Sequence, residues 1–418
     1  MKYNKFKLNQ FGGGDSTSTI RRVNKRSDIL ERFEDPSDLI CQSEGLVMLR
    51  EEKFAPIKPS VFMGPYLSDL LCHKAFSRTK FRVPQIDLSK YHNAYVLPHG
   101  FIVNQASLLS QDSFEEFTVR SDDAWYNDEL SFNYAEDGQY CIPRAKASPF
   151  FVDGQSFDFN FADDMPVIDV EEPTLFLMAW HHNNVSHWFL DILCRAWGQS
   201  FIPEKKFKVV VPSPLFDFMK ESLNYLGFSD EDIIEARKDR VYRFRTLYNI
   251  SRLASQYNFV SEECISFYNY FKNRIPKFKQ SDIKKIYVSR GDTNRRPCLN
   301  EKHLEERIQS LGFKIICTTP LTLKERIELF SGADIIAGPC GAGMFHNLFM
   351  KDNTALFSIG TPEMNKNSSA FTNIGTPKNQ DSYIFCGHNK DKSNPTTDSW
   401  EIDVDICMDA ITHAISAL

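Results

Sequence analysis

Apolar positions along 284–359 fall into two alternating rhythms. Solid blocks such as Ile286-Tyr287-Val288, Ile315-Ile316, Ile335-Ile336-Ala337 and Ala355-Leu356-Phe357 read as buried strands. Between them apolar residues recur three and four apart, at Leu304, Ile308 and Leu311 and again at Leu323, Ile327 and Phe330, as on one side of a helix. Asn300 is placed to cap the first of these helices and Gly312 to end it. Thr322 with Glu325 makes a capping box for the second, which Gly332 ends. A glycine turn, Gly338 to Gly343, then leads into a helix over 344–350. This alternation predicts an α/β fold with a parallel sheet covered by helices. Ligands of such sheets gather at the C-terminal ends of the strands.

The same reading covers the rest of the chain. The run 175–180 is a buried strand, and a helix over 186–197 follows it. Strands are expected at 94–97, 100–103, 208–212, 241–250 and 382–385. A helix over 261–275 would bury Phe267, Tyr270, Phe271 and Ile275, and a closing helix over 404–418 would bury Ile406, Ala410, Ile411, Ala414 and Ile415. The stretches 122–164 and 361–369 read as irregular. Polar, basic 276–282 marks a boundary. Three parts are expected: a polar arm over 1–40, disordered or loosely docked; a first domain over 41–278; and a second over 279–418.

Composition narrows the class. A chain of 418 residues with 42% hydrophobic and 25% charged content suggests a globular protein of two ordinary domains. A formal charge of -6 argues against nucleic acid as a partner. No apolar run of about 18 residues occurs, and the N-terminus lacks the apolar core of a secretory signal. The ten cysteines are scattered without a C-x-x-C pair and read as reduced thiols of a cytoplasmic protein. The arm carries Lys2, Lys5, Lys7, Arg21, Arg22, Lys25 and Arg26, a set that could rest on the inner face of an anionic membrane.

Candidate chemistry clusters at strand ends. Arg290, Arg295 and Arg296 follow one strand and the turn Cys340-Gly341-Ala342-Gly343 follows another. Glycines there permit close approach and positive φ, and the free amides of the next helix suit a phosphate oxygen. Guanidinium groups bind phosphate in bidentate fashion. Taken alone, each feature is equally compatible with a tight turn or a solvated loop. His346, just past the turn, could reach such a ligand. His187 and Asp191, four apart, share one helical face and could supply a base and its orienting carboxylate; a cap pair in a buried polar network is the other reading. His181 and His182 read as packing or surface residues. Asp403-Val404-Asp405 has the D-x-D form of a cation site but opens the last helix, where acidic residues favour the dipole anyway. With arginines and a helix dipole to meet a diphosphate, no metal is required.

These residues resemble glycosyltransferase family 61, often described as capsular polysaccharide biosynthesis proteins. The first motif is matched by Asn184-Val185-Ser186-His187-Trp188 through Asp191 to Trp197. The second is matched by Ser289-Arg290 with Arg295-Arg296 to Asn300-Glu301, and the third by 330–344. The resemblance implies a GT-B fold, two Rossmann-like domains with the site in the cleft between them. It implies inverting, metal-independent transfer from a nucleotide sugar, usually a uridine diphosphate sugar, to a glycan or lipid-linked glycan. Carried over by position, Arg290, Arg295, Arg296, Cys340, Gly341, Ala342, Gly343, His346 and Ser358 would face the donor. His187 and Asp191 would be catalytic, with Asn184 and Trp188 on the acceptor side. This chain departs from the family pattern at Cys340, where histidine is usual, at Gly291, where a second arginine is frequent, and at Ser358, where the closing strand usually carries glutamate. A non-catalytic nucleotide- or carbohydrate-binding member and a sugar-nucleotide epimerase are the alternatives.

Overall fold

Two sheets with parallel cores organise the chain. The computed structural model describes residues 4–5, 20–21, 45–71, 74–97, 100–103, 140–141, 150–153, 156–161, 166–179, 184–237, 239–255, 258–293, 296–390 and 399–418. In the first sheet the order is Ile233–Ala236, Lys208–Pro212, Thr174–Phe176, Val241–Ile250, Ile86–Leu97 and Gly45–Arg50. The first four run parallel. Ile86–Leu97 and Gly45–Arg50 extend the sheet antiparallel, and Phe101–Val103 folds back on Ile86–Leu97. Val167–Val170 lies end to end with Thr174–Phe176 beside the long Val241–Ile250 strand. By sequence, the four parallel strands lie in the order three, two, one, four. The direction of winding therefore reverses between Thr174–Phe176 and Val241–Ile250.

The second sheet is parallel throughout, in the order Lys314–Ile316, Lys285–Val288, Ile335–Pro339, Ala355–Gly360, Asp381–Cys386 and Val61–Met63. Its first five strands lie in the order two, one, three, four, five. Winding reverses between Lys285–Val288 and Ile335–Pro339. The sixth strand arrives from the N-terminal part of the chain and pairs through Val61 and Tyr383. In wound sheets of this kind the ligand crevice opens where winding reverses, beyond the C-terminal ends of the strands.

The Thr322 capping box forms, Leu323, Ile327 and Phe330 are buried, and Gly312 ends its helix in the left-handed conformation. Elsewhere tertiary contacts override the pattern. The carboxamide of Asn300 does not cap; it bonds both the N–H and the C=O of Ile402, stitching the segment to the C-terminal helix. The stretch 361–369 is helical, not a loop. Thr361 caps Pro362–Asn365, Ser369–Gly375 follows, and the hydroxyls that suggested a loop bond back to carbonyls of the preceding turn. The closing helix is Val404–Ser416, and it turns Ile406 outward while Val404, Cys407, Ile411 and Ala414 face the core. Tyr270 likewise points to solvent. Within 122–164, Tyr140–Cys141, Phe150–Asp153 and Ser156–Phe161 form strands, and Asn4–Lys5 and Ile20–Arg21 of the arm pair with the last of them. The remainder of 1–40, and 122–139, lie outside the described residues. Cys194, Cys264, Cys298, Cys317, Cys340, Cys386 and Cys407 are free thiols. No helix among the described residues is long and apolar enough to cross a membrane.

Candidate active site

Both winding reversals deliver charged residues. Beyond Val288 the Ser289 hydroxyl accepts from Gly291 N at 3.0 Å and turns the chain. The Arg290 amide donates to Glu301 Oε1 at 3.0 Å, and the Tyr287 hydroxyl donates to the same oxygen at 3.3 Å. Burial raises the Glu301 carboxyl above its usual range. Burial, and then the neighbouring Arg296, lower the Arg290 guanidinium from its ordinary value, which still leaves it a cation. Arg296 has φ 56°, a left-handed conformation that a non-glycine residue adopts only when held. Its carbonyl accepts from the indole of Trp400, a fully buried side chain, at 3.0 Å. Main-chain bonds from Trp400 N to Pro297 O (3.1 Å) and from Leu299 N to Trp400 O (2.8 Å) complete the clamp.

The two guanidinium groups converge on the glycine turn. A Cβ on Gly341 would stand 2.5 Å from Arg290 Nη1 and 3.8 Å from Arg296 Nη2; one on Gly343 would stand 2.7 Å from Val288 Cγ1. Gly341 has φ 175°, extended backbone open to any residue. Close approach, not positive φ, is what requires glycine here. The helix that follows is 3-10, Ala342–Phe349, and its first amides have no partner within the helix. Two cations and these amides are the groups that suit an anion.

On the other sheet the chain passes Thr174–Phe176 and re-enters at Asn184, whose Oδ1 accepts from Ser186 N (3.0 Å) and the Ser186 hydroxyl (2.8 Å). The expected α-helix over 186–197 changes pitch twice. It is α over Val185–His187, π over Trp188–Ile192 and 3-10 over Leu193–Phe201. Single π turns of this kind occur at functional sites. His187 Nδ1 lies 2.5 Å from Asp191 Oδ2. With Nδ1–H donating to the carboxylate, Nε2 carries the lone pair. Asp191 Oδ1 lies 3.9 Å from Arg252 Nη1, and the two side chains are 3% and 6% exposed. Arg252 follows the Val241–Ile250 strand, across the winding reversal from the segment that carries His187.

The two halves meet at these elements. Val185–His187 lies alongside Ala342–Phe349. The Phe189 ring stacks on Phe345 at 5.6 Å and meets Phe349 edge-on at 5.5 Å, while the Tyr268 hydroxyl donates to Phe189 O. One helix thus starts next to Arg290 and Arg296 and lies beside the turn that carries His187.

Other sequence candidates take different places. Asn184 is the helix cap. Trp188 is buried and donates its indole N–H to Ser222 Oγ at 3.0 Å, so it packs the core and does not face an acceptor. Cys340 is buried behind the turn, where its thiol donates to Met364 O at 3.2 Å. Ser358, fully buried, joins the same network through Ser368 at 2.8 Å and Asn365 at 3.4 Å. His346 lies flat on Phe330, centroids 4.4 Å apart, and donates Nδ1–H to Gly343 O at 2.7 Å. Burial pushes its pKa down to about 3, so it is neutral and braces the turn from inside. Asp403 caps the last helix and Asp405 pairs with Arg307. Arg295, His181 and His182 lie outside the described residues. Among the described residues no group of three or more His, Cys, Asp or Glu stands together as a metal site. The sequence does not single out Arg252 or Trp400, and it names Glu301 only as the end of the second motif. The end of an apolar strand pattern falls beside Arg252, but no local signal marks Trp400.

Residues 185–357 match a family model described as Glycosyltransferase 61. No curated protein matches the chain.

Proposed function

We propose, from the match of residues 185–357 to the model described as Glycosyltransferase 61, that the protein is a glycosyltransferase of that family, performing inverting, metal-independent transfer from a uridine diphosphate sugar. The acceptor is a glycan or lipid-linked glycan hydroxyl, in the synthesis of a cell-surface polysaccharide such as a capsule, at the inner face of the membrane. The architecture in this reading is GT-B, with 41–278 and 279–418 as its two domains, except that Val61–Met63 crosses over to the sheet of the second. The single observation that supports it most is that Ala342–Phe349 begins beneath Arg290 and Arg296 and flanks the turn that carries His187.

The chemistry then follows from position. His187 Nε2 takes the acceptor proton as the acceptor oxygen bonds to the anomeric carbon. The bond from that carbon to the diphosphate breaks on the opposite face, which inverts the centre. The electron pair departs with the diphosphate, where Arg290, Arg296 and the first amides of Ala342–Phe349 meet it. Asp191 holds the imidazole by Nδ1 and stabilises it once protonated. Arg252 favours the ionised form of Asp191. Neutralisation of the diphosphate by cations and amides is what makes a metal dispensable. Cys340 and Ser358, where this chain departs from the family pattern, are buried in a network of their own, so they take nothing from the cleft. That placement favours an active enzyme over a non-catalytic binding member.

The test is a panel of nucleotide sugars with mixed glycan acceptors, run with and without a chelator, the product anomer being read by NMR. Transfer with inversion, unaffected by the chelator and lost in His187→Ala, is expected. If no nucleotide shifts the melting temperature and no donor turns over, the reading fails.

A further inference from the structure

Beyond Lys314–Ile316 the chain passes Cys317 and Thr318 before it enters the helix Leu323–Gly332. Two separate observations bring Thr318 to the glycine turn. The first is register. Val288 pairs with Ile316, and Ser289 N donates to Ile316 O at 2.9 Å. The two strands therefore leave the sheet at one level, with Arg290 two residues beyond that pair on one and Thr318 two beyond it on the other. The second is contact. A Cβ on Gly343 would stand 3.8 Å from Thr318 Oγ1, as one on Gly341 would stand 2.5 Å from Arg290 Nη1. The turn is flanked by a guanidinium at Gly341 and by a hydroxyl at Gly343.

The loop that carries Thr318 is held without using that hydroxyl. Thr318 O accepts from Leu321 N at 3.2 Å. Arg326 donates from Nε to Leu321 O at 2.9 Å and from Nη2 to Thr319 O at 3.3 Å. The Thr322 capping box fixes the next turn, and Leu323 N donates to Glu221 Oε2 at 3.3 Å. Thr318 is half-buried, and its side chain makes no hydrogen bond to another described residue. A threonine in a turn commonly bonds its own neighbouring backbone, and this one does not. Its proton is uncommitted. What surrounds the turn is all of one kind: Arg290, Arg296 and the amides of Ala342 and Gly343, which have no partner within their helix, are donors. A ligand selected by donors is rich in acceptor oxygens, and the hydroxyl meets it with its proton.

The geometry points to Thr318 as a further binding residue of the cleft, its hydroxyl donating to a phosphoryl oxygen at the Gly343 end of the turn. This rests on the transferase reading, in which Arg290 and Arg296 take the same diphosphate at the Gly341 end. The two ends do different work. A guanidinium attracts an anion from several ångströms away, whereas a hydroxyl bonds only within about 3 Å, so Thr318 sets where along the turn the diphosphate stops.

Isothermal titration calorimetry of the full chain with uridine diphosphate reads the contact without turnover. Thr318→Val keeps the shape and removes the hydroxyl. It should raise the dissociation constant about tenfold or more, the worth of a hydrogen bond to a charged group. Thr318→Ser should recover most of the affinity, and urea midpoints should agree in all three proteins, because the hydroxyl holds nothing in the fold. Unchanged affinity in Thr318→Val would overturn the proposal, and so would a loss that serine does not recover or one that tracks a fallen urea midpoint. Those outcomes leave the transferase reading standing. A wild-type chain that does not bind uridine diphosphate at all would sink that reading and this proposal together.

Discussion

Asp191 stands between an imidazole and a guanidinium, and each side of that arrangement can be measured. Asp191→Asn should lower turnover roughly 10²- to 10⁴-fold, the usual worth of a positioned acid–base pair. It should also destabilise the fold by about 3 kcal/mol, because Arg252 is left buried without its carboxylate. Adding Arg252→Met should restore most of the urea midpoint and none of the turnover. Recovery of both would reduce the pair to a structural one. The glycines divide in the same way. Gly341→Ala forces only the tip of the Arg290 side chain aside, so donor affinity should fall with little change in melting temperature. Gly332→Ala meets the Ser281 carbonyl at 2.0 Å, rigid backbone, and should lower the melting temperature instead. His187, Asp191, Arg290 and Gly341 were legible in the sequence because helical spacing and strand ends are local facts. The pairing of Arg252 with Asp191 was not, since sheet order brings the two together, and nor was Trp400, which a distant indole brings in.

At the scale of the element, the helix Ala342–Phe349 is loaded at three points. Its start faces two arginines, its middle holds neutral His346, and its end is held by the Lys378 amine, which donates to Leu348 O at 2.9 Å and to Met350 O. Burial pushes the Lys378 pKa down to about 7. Both groups tie stability to pH in one direction. Unfolded His346 takes up a proton near 6.5 but folded His346 only near about 3, so acidification through that window favours the unfolded chain. Unfolded Lys378 keeps its proton up to 10.5 while the folded amine loses it near about 7, so stability climbs as pH rises between those values. Urea midpoints across the range should rise with pH, with His346→Phe flattening the acid limb and Lys378→Met the alkaline one. A midpoint that stays constant from about pH 4 to about pH 7 would mean His346 titrates alike in both states. Hydrophobic spacing marked where this helix and the Val185–Phe201 helix lie. It could not mark their pitch, because the π and 3-10 turns answer to Phe189, Tyr268 and Phe345 packing across the two halves.

For the molecule as a whole, an anion seat made of guanidinium groups predicts a ranking of ligands. Uridine diphosphate should raise the melting temperature more than uridine monophosphate at equal concentration, its own stabilisation being about 2.7 kcal/mol at a hundredfold excess over its dissociation constant. Arg296→Ala should erase the difference between the two nucleotides. Equal shifts would place the diphosphate elsewhere. The apolar blocks marked most strands of the second sheet and the centre of the first, but not Gly45–Arg50, Val61–Met63, Val167–Val170 or Ile233–Ala236. The order of the strands was not legible, the place of Val61–Met63 least of all, because nothing in a three-residue strand names a partner so far along the chain. Lys58 bonds to Asn379, 321 positions away. That distance governs how the protein can be made. A ribosome releases the segment around Val61 first and must translate the whole stretch between the two strands before Asp381–Cys386 emerges to receive it. Until then the segment waits unpaired, in the care of chaperones. Any nascent chain arrested short of Asp381 should be a client for degradation, however complete its first sheet.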